Sequence, residues 1–232
     1  MNQEPRALEL QNVARRFARR WVLRGIDLEV RAGETVALMG RNGSGKTTLL
    51  RVVATLIRPT RGRGSVFGRE LVSEADEIRH LVGILGHHAG IYDDLTASEN
   101  IRFAMRMYGM SVSRAQIEAA LHEVGLGAEI KERVRGFSAG MRRRLALARL
   151  LLRPPRLLLL DEPYAAFDQH GIDQVNDYVR RVVADGGAAL IATHDLTRAS
   201  VVAERVVRIE DGRVGTDRSS AELLREEQDS VA

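Results

Sequence analysis

Gly40-Arg41-Asn42-Gly43-Ser44-Gly45-Lys46-Thr47 is the stretch with the most specific chemistry in this chain. It matches the phosphate-binding loop pattern G-x-x-x-x-G-K-[ST] at every position. The apolar run Thr35-Val36-Ala37-Leu38-Met39 precedes it and reads as a buried strand. Thr48-Leu49-Leu50-Arg51-Val52-Val53 follows and reads as the start of a helix. In that context the glycines let backbone N–H groups converge on phosphate oxygens, and the helix N-terminus adds its partial positive charge. Lys46 would reach the β- and γ-phosphates, and the Thr47 hydroxyl would hold Mg²⁺. The spacing predicts a nucleoside-triphosphate site over residues 40–48. A plain glycine-rich turn ahead of a helix is the alternative.

A second constellation lies at Arg156-Leu157-Leu158-Leu159-Leu160-Asp161-Glu162-Pro163. An uninterrupted apolar run of this length reads as a strand buried on both faces, delivering two carboxylates at its C-terminal end. In open α/β sheets ligands bind at that edge. Asp161 is placed to join the Mg²⁺ shell, partly through water, and Glu162 to polarise an attacking water as a general base. Without the phosphate loop, the same residues would read as a solvated Asp-Glu turn after a buried strand.

The elements that must position these groups follow from periodicity. In the first 40 residues, Leu8, Leu10, Leu23, Ile26, Leu28 and Val30 are separated by polar residues, which predicts antiparallel strands with one buried face. The helix after the phosphate loop is expected to end near Arg58-Pro59, because the residue before proline avoids helix. A short strand is expected at 65–67. Thr96-Ala97-Ser98-Glu99 and Ser113-Arg114-Ala115-Gln116 are capping-box patterns that open two helices, and a third helix is expected over 139–152. Strand and helix alternation resumes after Pro154-Pro155, with a strand at 157–160, a helix over 171–185 and a strand at 188–193. The pair Asp211-Gly212 marks a hairpin, and a short helix or loose tail follows from Ser219.

The expected fold class is therefore α/β, a parallel-sheet core interrupted by helices, folding as one unit over 1–232. Its parts are an antiparallel β subdomain at about 1–34 plus 62–68, a core at 35–61, 69–89 and 156–210, and a helical subdomain at 90–155. The 232 residues, 44% hydrophobic and 28% charged, suit an ordinary globular chain with a real core. No apolar run approaches the roughly 20 residues that cross a bilayer. The N-terminus lacks the basic-then-apolar plan of a signal peptide, so the chain is expected to stay in the cytosol. Zero cysteines exclude disulfides and thiolate chemistry. The net charge is +4 and arginine far outnumbers lysine, but aromatic residues are only 4%, which leaves little to stack on bases. Nucleic acid is not an expected partner. A basic face toward an anionic membrane surface or a partner protein fits the charge as well.

With both motifs in view, the chain resembles the nucleotide-binding subunit of an ATP-binding cassette (ABC) transporter. The resemblance covers nearly the whole chain and implies an ABC ATPase fold, with ATP and Mg²⁺ as ligands. Phe137-Ser138-Ala139-Gly140-Met141 stands where the family has its LSGGQ signature. Ala139 and Met141 depart from the consensus, while Ser138 and Gly140 are kept. In the family this motif reaches the ATP held by a second copy, which implies a homodimer in the ATP-bound state. His194, after Ala189-Leu190-Ile191-Ala192-Thr193, matches the switch histidine. Asp168 in Ala165-Ala166-Phe167-Asp168 matches the D-loop aspartate. Phe17 matches the aromatic residue that stacks on adenine; Trp21 is the alternative, and either could be core.

His87 stands in the slot of the Q-loop glutamine, which normally faces Mg²⁺ and the attacking water. An imidazole can ligate a metal or bond water but does not copy an amide's reach. The adjacent His87-His88 pair also suggests a haem or metal ligand, although neighbours on one loop make poor co-ligands. Gly-His at this point, followed by Leu95-Thr96-Ala97-Ser98-Glu99-Asn100, resembles the ATPase subunit of the haem exporter used in bacterial cytochrome c maturation. That resemblance implies an integral membrane permease as partner, docked near His87 and the helical block, and a peripheral place on the cytoplasmic face of the inner membrane. Export of a drug, lipid or polysaccharide would use identical chemistry. A non-transport ABC protein usually carries two cassettes, and a non-hydrolysing module would not need Glu162 and His194.

Overall fold

The computed structural model describes residues 5–86, 90–165 and 167–229. In chain order the elements are β1 (Arg6–Phe17), β2 (Arg20–Arg31), β3 (Thr35–Met39), α1 (Lys46–Val53), β4 (Arg61–Val66), β5 (Arg69–Glu70), α2 (Ala75–Leu81) and β6 (Val82–Leu85). Then come α3 (Ala97–Met107), α4 (Arg114–Glu123), α5 (Ala139–Leu152), β7 (Leu157–Asp161), α6 (Gln169–Ala184), β8 (Ala188–Ala192), α7 (Leu196–Ala199), β9 (Arg205–Glu210), β10 (Arg213–Ser219) and α8 (Ser220–Asp229). The expected α/β core, antiparallel sheet and helical insertion are all present.

Among the described residues the strands form two sheets. One has the order β2-β1-β4-β5 and is antiparallel, while the other has the order β10-β9-β3-β8-β7-β6. In the second sheet β6, β7, β8, β3 and β9 run parallel, and β10 closes the edge antiparallel to β9.

The central strands show why an unbroken apolar run was needed. Successive side chains of a strand point to opposite faces. Leu158 and Leu160 of β7 accordingly pack with the helical block and α6, while Leu157 and Leu159 pack with α1 and the antiparallel sheet. The same division holds in β3, with Ala37 and Met39 on one face and Val36 and Leu38 on the other. Fully burying each such leucine stabilises the fold by roughly 1.5–3 kcal/mol.

The two capping boxes form as predicted. Thr96 Oγ1 accepts from the Glu99 N–H at 3.2 Å while Glu99 accepts from the Thr96 N–H at 2.8 Å. Ser113 and Gln116 repeat the exchange at 3.2 and 2.8 Å. These caps start α3 and α4, which pack on α5.

Several boundaries differ from expectation. Helix α1 ends at Val53, short of Arg58-Pro59, because the chain turns out at Ala54 and Thr55 takes a left-handed φ of 57°. Strand β4 starts at Arg61 because it pairs with β1, Ala14 opposite Arg61 and Gln11 opposite Arg63. Helix α2, strand β5 and strand β6 have no counterpart among the expected elements. Helix α6 begins two residues early because the Asp168 side chain caps it, accepting from the Gly171 N–H at 2.9 Å.

Candidate nucleotide site

Three parallel neighbours, β3, β8 and β7, end side by side. Leu38 and Asp161 both lie in register with Ala192. Their C-terminal extensions are the phosphate loop, Thr193-His194 and Glu162, so the sheet alone brings the loop of residues 40–47 beside groups at 162 and 193–194.

The phosphate loop is shaped by its glycines. Gly40, Gly43 and Gly45 all have positive φ, at 146°, 82° and 116°. A Cβ on Gly40 would lie 2.3 Å from the Ile209 carbonyl oxygen and 2.8 Å from Ser44 Oγ. Gly40→Ala is therefore expected to cost about 1–3 kcal/mol of stability through overpacking and backbone strain. It should also weaken ATP binding, as read by denaturant unfolding and calorimetric titration. Wild-type values for both would show that the loop backbone is not constrained.

Gly45 caps helix α1 without a side chain to offer, so the first N–H groups of the helix are left for a ligand. Ser44 Oγ is buried and without a hydrogen-bond partner, an unusual state that a phosphate oxygen would relieve. Lys46 is 6% exposed, and its Nζ donates to the Gly40 carbonyl at 2.6 Å, with Arg41 O at 3.4 Å. An ammonium buried in this way holds the loop and is available to a stronger acceptor.

Thr47 Oγ1 donates to Asp161 Oδ1 at 3.0 Å. This hydroxyl–carboxylate pair at the mouth of the loop suits Mg²⁺, which prefers hard oxygen ligands and keeps waters and phosphate oxygens in its shell. Among the described residues no three His, Cys, Asp or Glu side chains converge in a way that could hold a metal by themselves.

Glu162 adopts a left-handed φ of 49°. Its N–H donates to the Ala192 carbonyl at 2.8 Å, and its Oε2 faces His194 Nδ1 at 3.0 Å and Thr193 Oγ1 at 3.3 Å. Thr193, buried and bonded also to the Asp195 N–H, was not singled out in the sequence. Its only local mark is its place between a strand and a histidine. Arg20, Val22, Asn42, Gly43, Gly45, Lys46, Thr47, Thr48 and Glu162 line one cleft of about 330 Å³. Arg20 is another residue the sequence reading passed over, since an exposed arginine in an arginine-rich hairpin gives no signal.

Phe17 is exposed at the end of β1, opposite Arg20 in the ladder, with the Arg15 guanidinium 4.6 Å from its ring. Trp21 lies between the Arg16 and Arg61 guanidinia at 5.4 and 5.3 Å, so its ring is already engaged within the sheet.

Ser138, Ala139, Gly140 and Met141 are not brought to this cleft. Ser138 caps α5, its Oγ accepting from the Met141 N–H at 3.2 Å, and the helix start is largely exposed. Asp168 caps α6 and pairs with Arg144 at 2.7 Å. The Gly171 N–H, followed by the Arg144 charge, holds its carboxyl below the usual carboxylate range. His87 lies outside the described residues. The chain leading to it leaves from beside Asp161, since a Cβ on Gly86 would lie 3.3 Å from Asp161 Cβ.

A family model described as ABC transporter matches residues 23–165. The chain belongs to the ABC transporter family. Among its relatives, the daunorubicin/doxorubicin resistance ATP-binding protein DrrA of Streptomyces peucetius is 37% identical over 226 residues, covering 96% of this chain and 68% of DrrA. The cytochrome c biogenesis ATP-binding export protein CcmA of Xanthomonas axonopodis pv. citri is 42% identical over 185 residues, 80% of this chain and 85% of CcmA. An ATP-binding subunit of an ABC transporter superposes with a TM-score of 0.85 at 27% identity, covering 96% of this chain and 93% of that one. A dimeric ATP-binding cassette in a post-hydrolysis state, bound to ADP and Pi, superposes at 0.82 with 25% identity, covering 92% of this chain and 98% of that one. The ABC chain described here is thus an ATP-binding transporter subunit and an ATPase. No helix among its described residues is long and apolar enough to cross a membrane.

Proposed function

We propose that two copies of this chain close on ATP, hydrolyse it, and drive a separate integral membrane permease whose cargo is haem for cytochrome c assembly. The observation that carries the hydrolytic part is the cluster of Lys46, Thr47, Asp161, Glu162 and His194 at adjoining strand ends. Lys46 exchanges the Gly40 carbonyl for the β- and γ-phosphates, while the N–H groups of residues 41–48 hold the remaining oxygens. Phe17 stacks on the adenine. Thr47 and Asp161 hold Mg²⁺, with His87 as a further candidate neighbour. Mg²⁺, when bound, neutralises charge developing on the transferring phosphoryl group. Glu162 orients water and takes its proton, and His194 fixes the Glu162 carboxylate and faces the γ-phosphate. Ser138, Ala139, Gly140 and Met141 of the second copy present their helix start to the same phosphates, and Asp168 lies at the subunit junction. Each site is therefore shared between copies.

A groove of about 270 Å³ between core and helical block is lined by Leu56, Ile84, Tyr108, Arg149 and Arg153 among others. Leu56 in its lining is exposed, and so are Tyr92 before α3 and Phe103 and Met107 on α3, the helix whose Met105 and C-cap Tyr108 line the groove; Tyr92 and Phe103 stand edge to face at 4.9 Å. An apolar patch around such a groove suits a permease segment. The chain would then sit peripherally on the cytoplasmic face of the inner membrane.

The Gly86-His87 pair and the similarity to CcmA support haem as cargo. The similarity to DrrA over 96% of the chain supports export of a drug-like molecule as a second reading. Deleting the gene separates the two. The haem reading expects membrane-bound c-type cytochromes to vanish from haem-stained gels while b-type cytochromes remain. Normal c-type cytochromes together with heightened sensitivity to an anthracycline would replace it with the drug reading.

A further inference from the structure

Three consecutive arginines follow the first three residues of α5, and they do different things. Arg142 pairs with Asp93, and Arg144 bonds Asp168, Gln174 and the Val124 carbonyl. Arg143 instead turns toward the loop after β7. Its guanidinium donates to the Glu162 carbonyl at 2.7 Å and to the Ala165 carbonyl, with Pro163 O at 3.4 Å. Among the described residues no carboxylate pairs with it. Burial holds its pKa below the ordinary arginine value, opposed by the charges of Asp161 and Glu162.

These bonds fall on a backbone that needs support. Glu162 has φ 49°, and a non-glycine residue there costs roughly 1–2 kcal/mol, so surrounding contacts must over-determine it. Strand β8 grips its N–H through Ala192, and Arg143 grips its C=O. Between those two grips the side chain is aimed at Thr193 and His194. Arginine suits the task because a planar guanidinium can satisfy several carbonyls around one loop.

We propose that Arg143 is a positioning residue for hydrolysis, fixing the Glu162 backbone so that its carboxylate meets the attacking water. Arg143 sits on the same helix as Ser138–Met141, so the aim of Glu162 depends on where that helix lies. This rests on Glu162 being the base, and the test keeps the two claims apart.

Steady-state hydrolysis, ATP affinity and thermal midpoint are measured on the full chain carrying Arg143→Ala, Arg143→Lys, Glu162→Gln, and Arg143→Ala with Glu162→Gln. Misaiming a catalytic group by about 1 Å can cost on the order of 100-fold, so Arg143→Ala is expected to lower kcat by roughly 10–100-fold. The Kd for ATP should change by less than about 3-fold, and Arg143→Lys should recover part of the rate. Single-turnover measurement in the Glu162→Gln background should show no further loss on adding Arg143→Ala, because groups acting as one unit are not additive. Wild-type kcat in Arg143→Ala would overturn the proposal. So would an equal fold-loss in both backgrounds, or a rate loss that only tracks a lowered thermal midpoint. If Glu162→Gln itself turns over at the wild-type rate, it is the assignment of Glu162 that fails.

Discussion

Glu162→Gln should bind ATP with near wild-type affinity yet hydrolyse it at least about 100-fold more slowly, since a positioned general base contributes roughly 10²–10⁴-fold. The substitution preserves shape and removes the charge that takes the proton. Its effect on the fold should be small. The Glu162 backbone bonds to Ala192 and Arg143 do not involve the side chain, and an amide oxygen can still accept from Thr193. Phosphate release assayed beside calorimetric ATP titration separates the two effects. A variant that turns over normally would mean that the water is activated elsewhere. A variant that no longer binds would mean that Glu162 shapes the cleft instead of acting on water.

Lys46→Ala should show the complementary pattern. Charge-assisted hydrogen bonds contribute about 1.5–3 kcal/mol each, so losing the ammonium should weaken ATP binding by roughly 10–100-fold. Hydrolysis should become undetectable at ordinary ATP concentrations. The free chain should survive, because among the described residues the Nζ bonds the Gly40 and Arg41 carbonyls alone, at the edge of a cleft that water can enter. Unchanged affinity would place the triphosphate away from the loop.

The parts of this account readable in the sequence are those in which local residue type has one physical solution. A Gly-Lys-Thr loop between a buried strand and a helix leaves a plain glycine-rich turn as its sole rival reading. Four leucines ending in Asp-Glu can only be a two-faced strand with carboxylates at its tip. The caps at Thr96 and Ser113 were legible because their partners are three residues away. Other features depend on contacts distant in the chain. Strand β4 is defined by its ladder with β1, whose partner residues lie 47 to 58 positions upstream. Helix α2 and strands β5 and β6 span seven, two and four residues, too few for a period to emerge. Arg143 meets carbonyls about twenty residues later, and nothing local separates it from Arg142 or Arg144. The position of Thr193 beside Glu162 follows from the β7–β8 register, which no motif encodes.

On the proposed reading each ATP site is completed by a second copy. Sedimentation of the Glu162→Gln chain with and without ATP tests it directly, because hydrolysis no longer reopens the closed state. The expected result is a monomer without nucleotide, a dimer with ATP, and a monomer with ATP bound once Gly140→Asp is added at the start of α5. A chain that binds ATP and stays monomeric, or a dimer indifferent to Gly140→Asp, would contradict it.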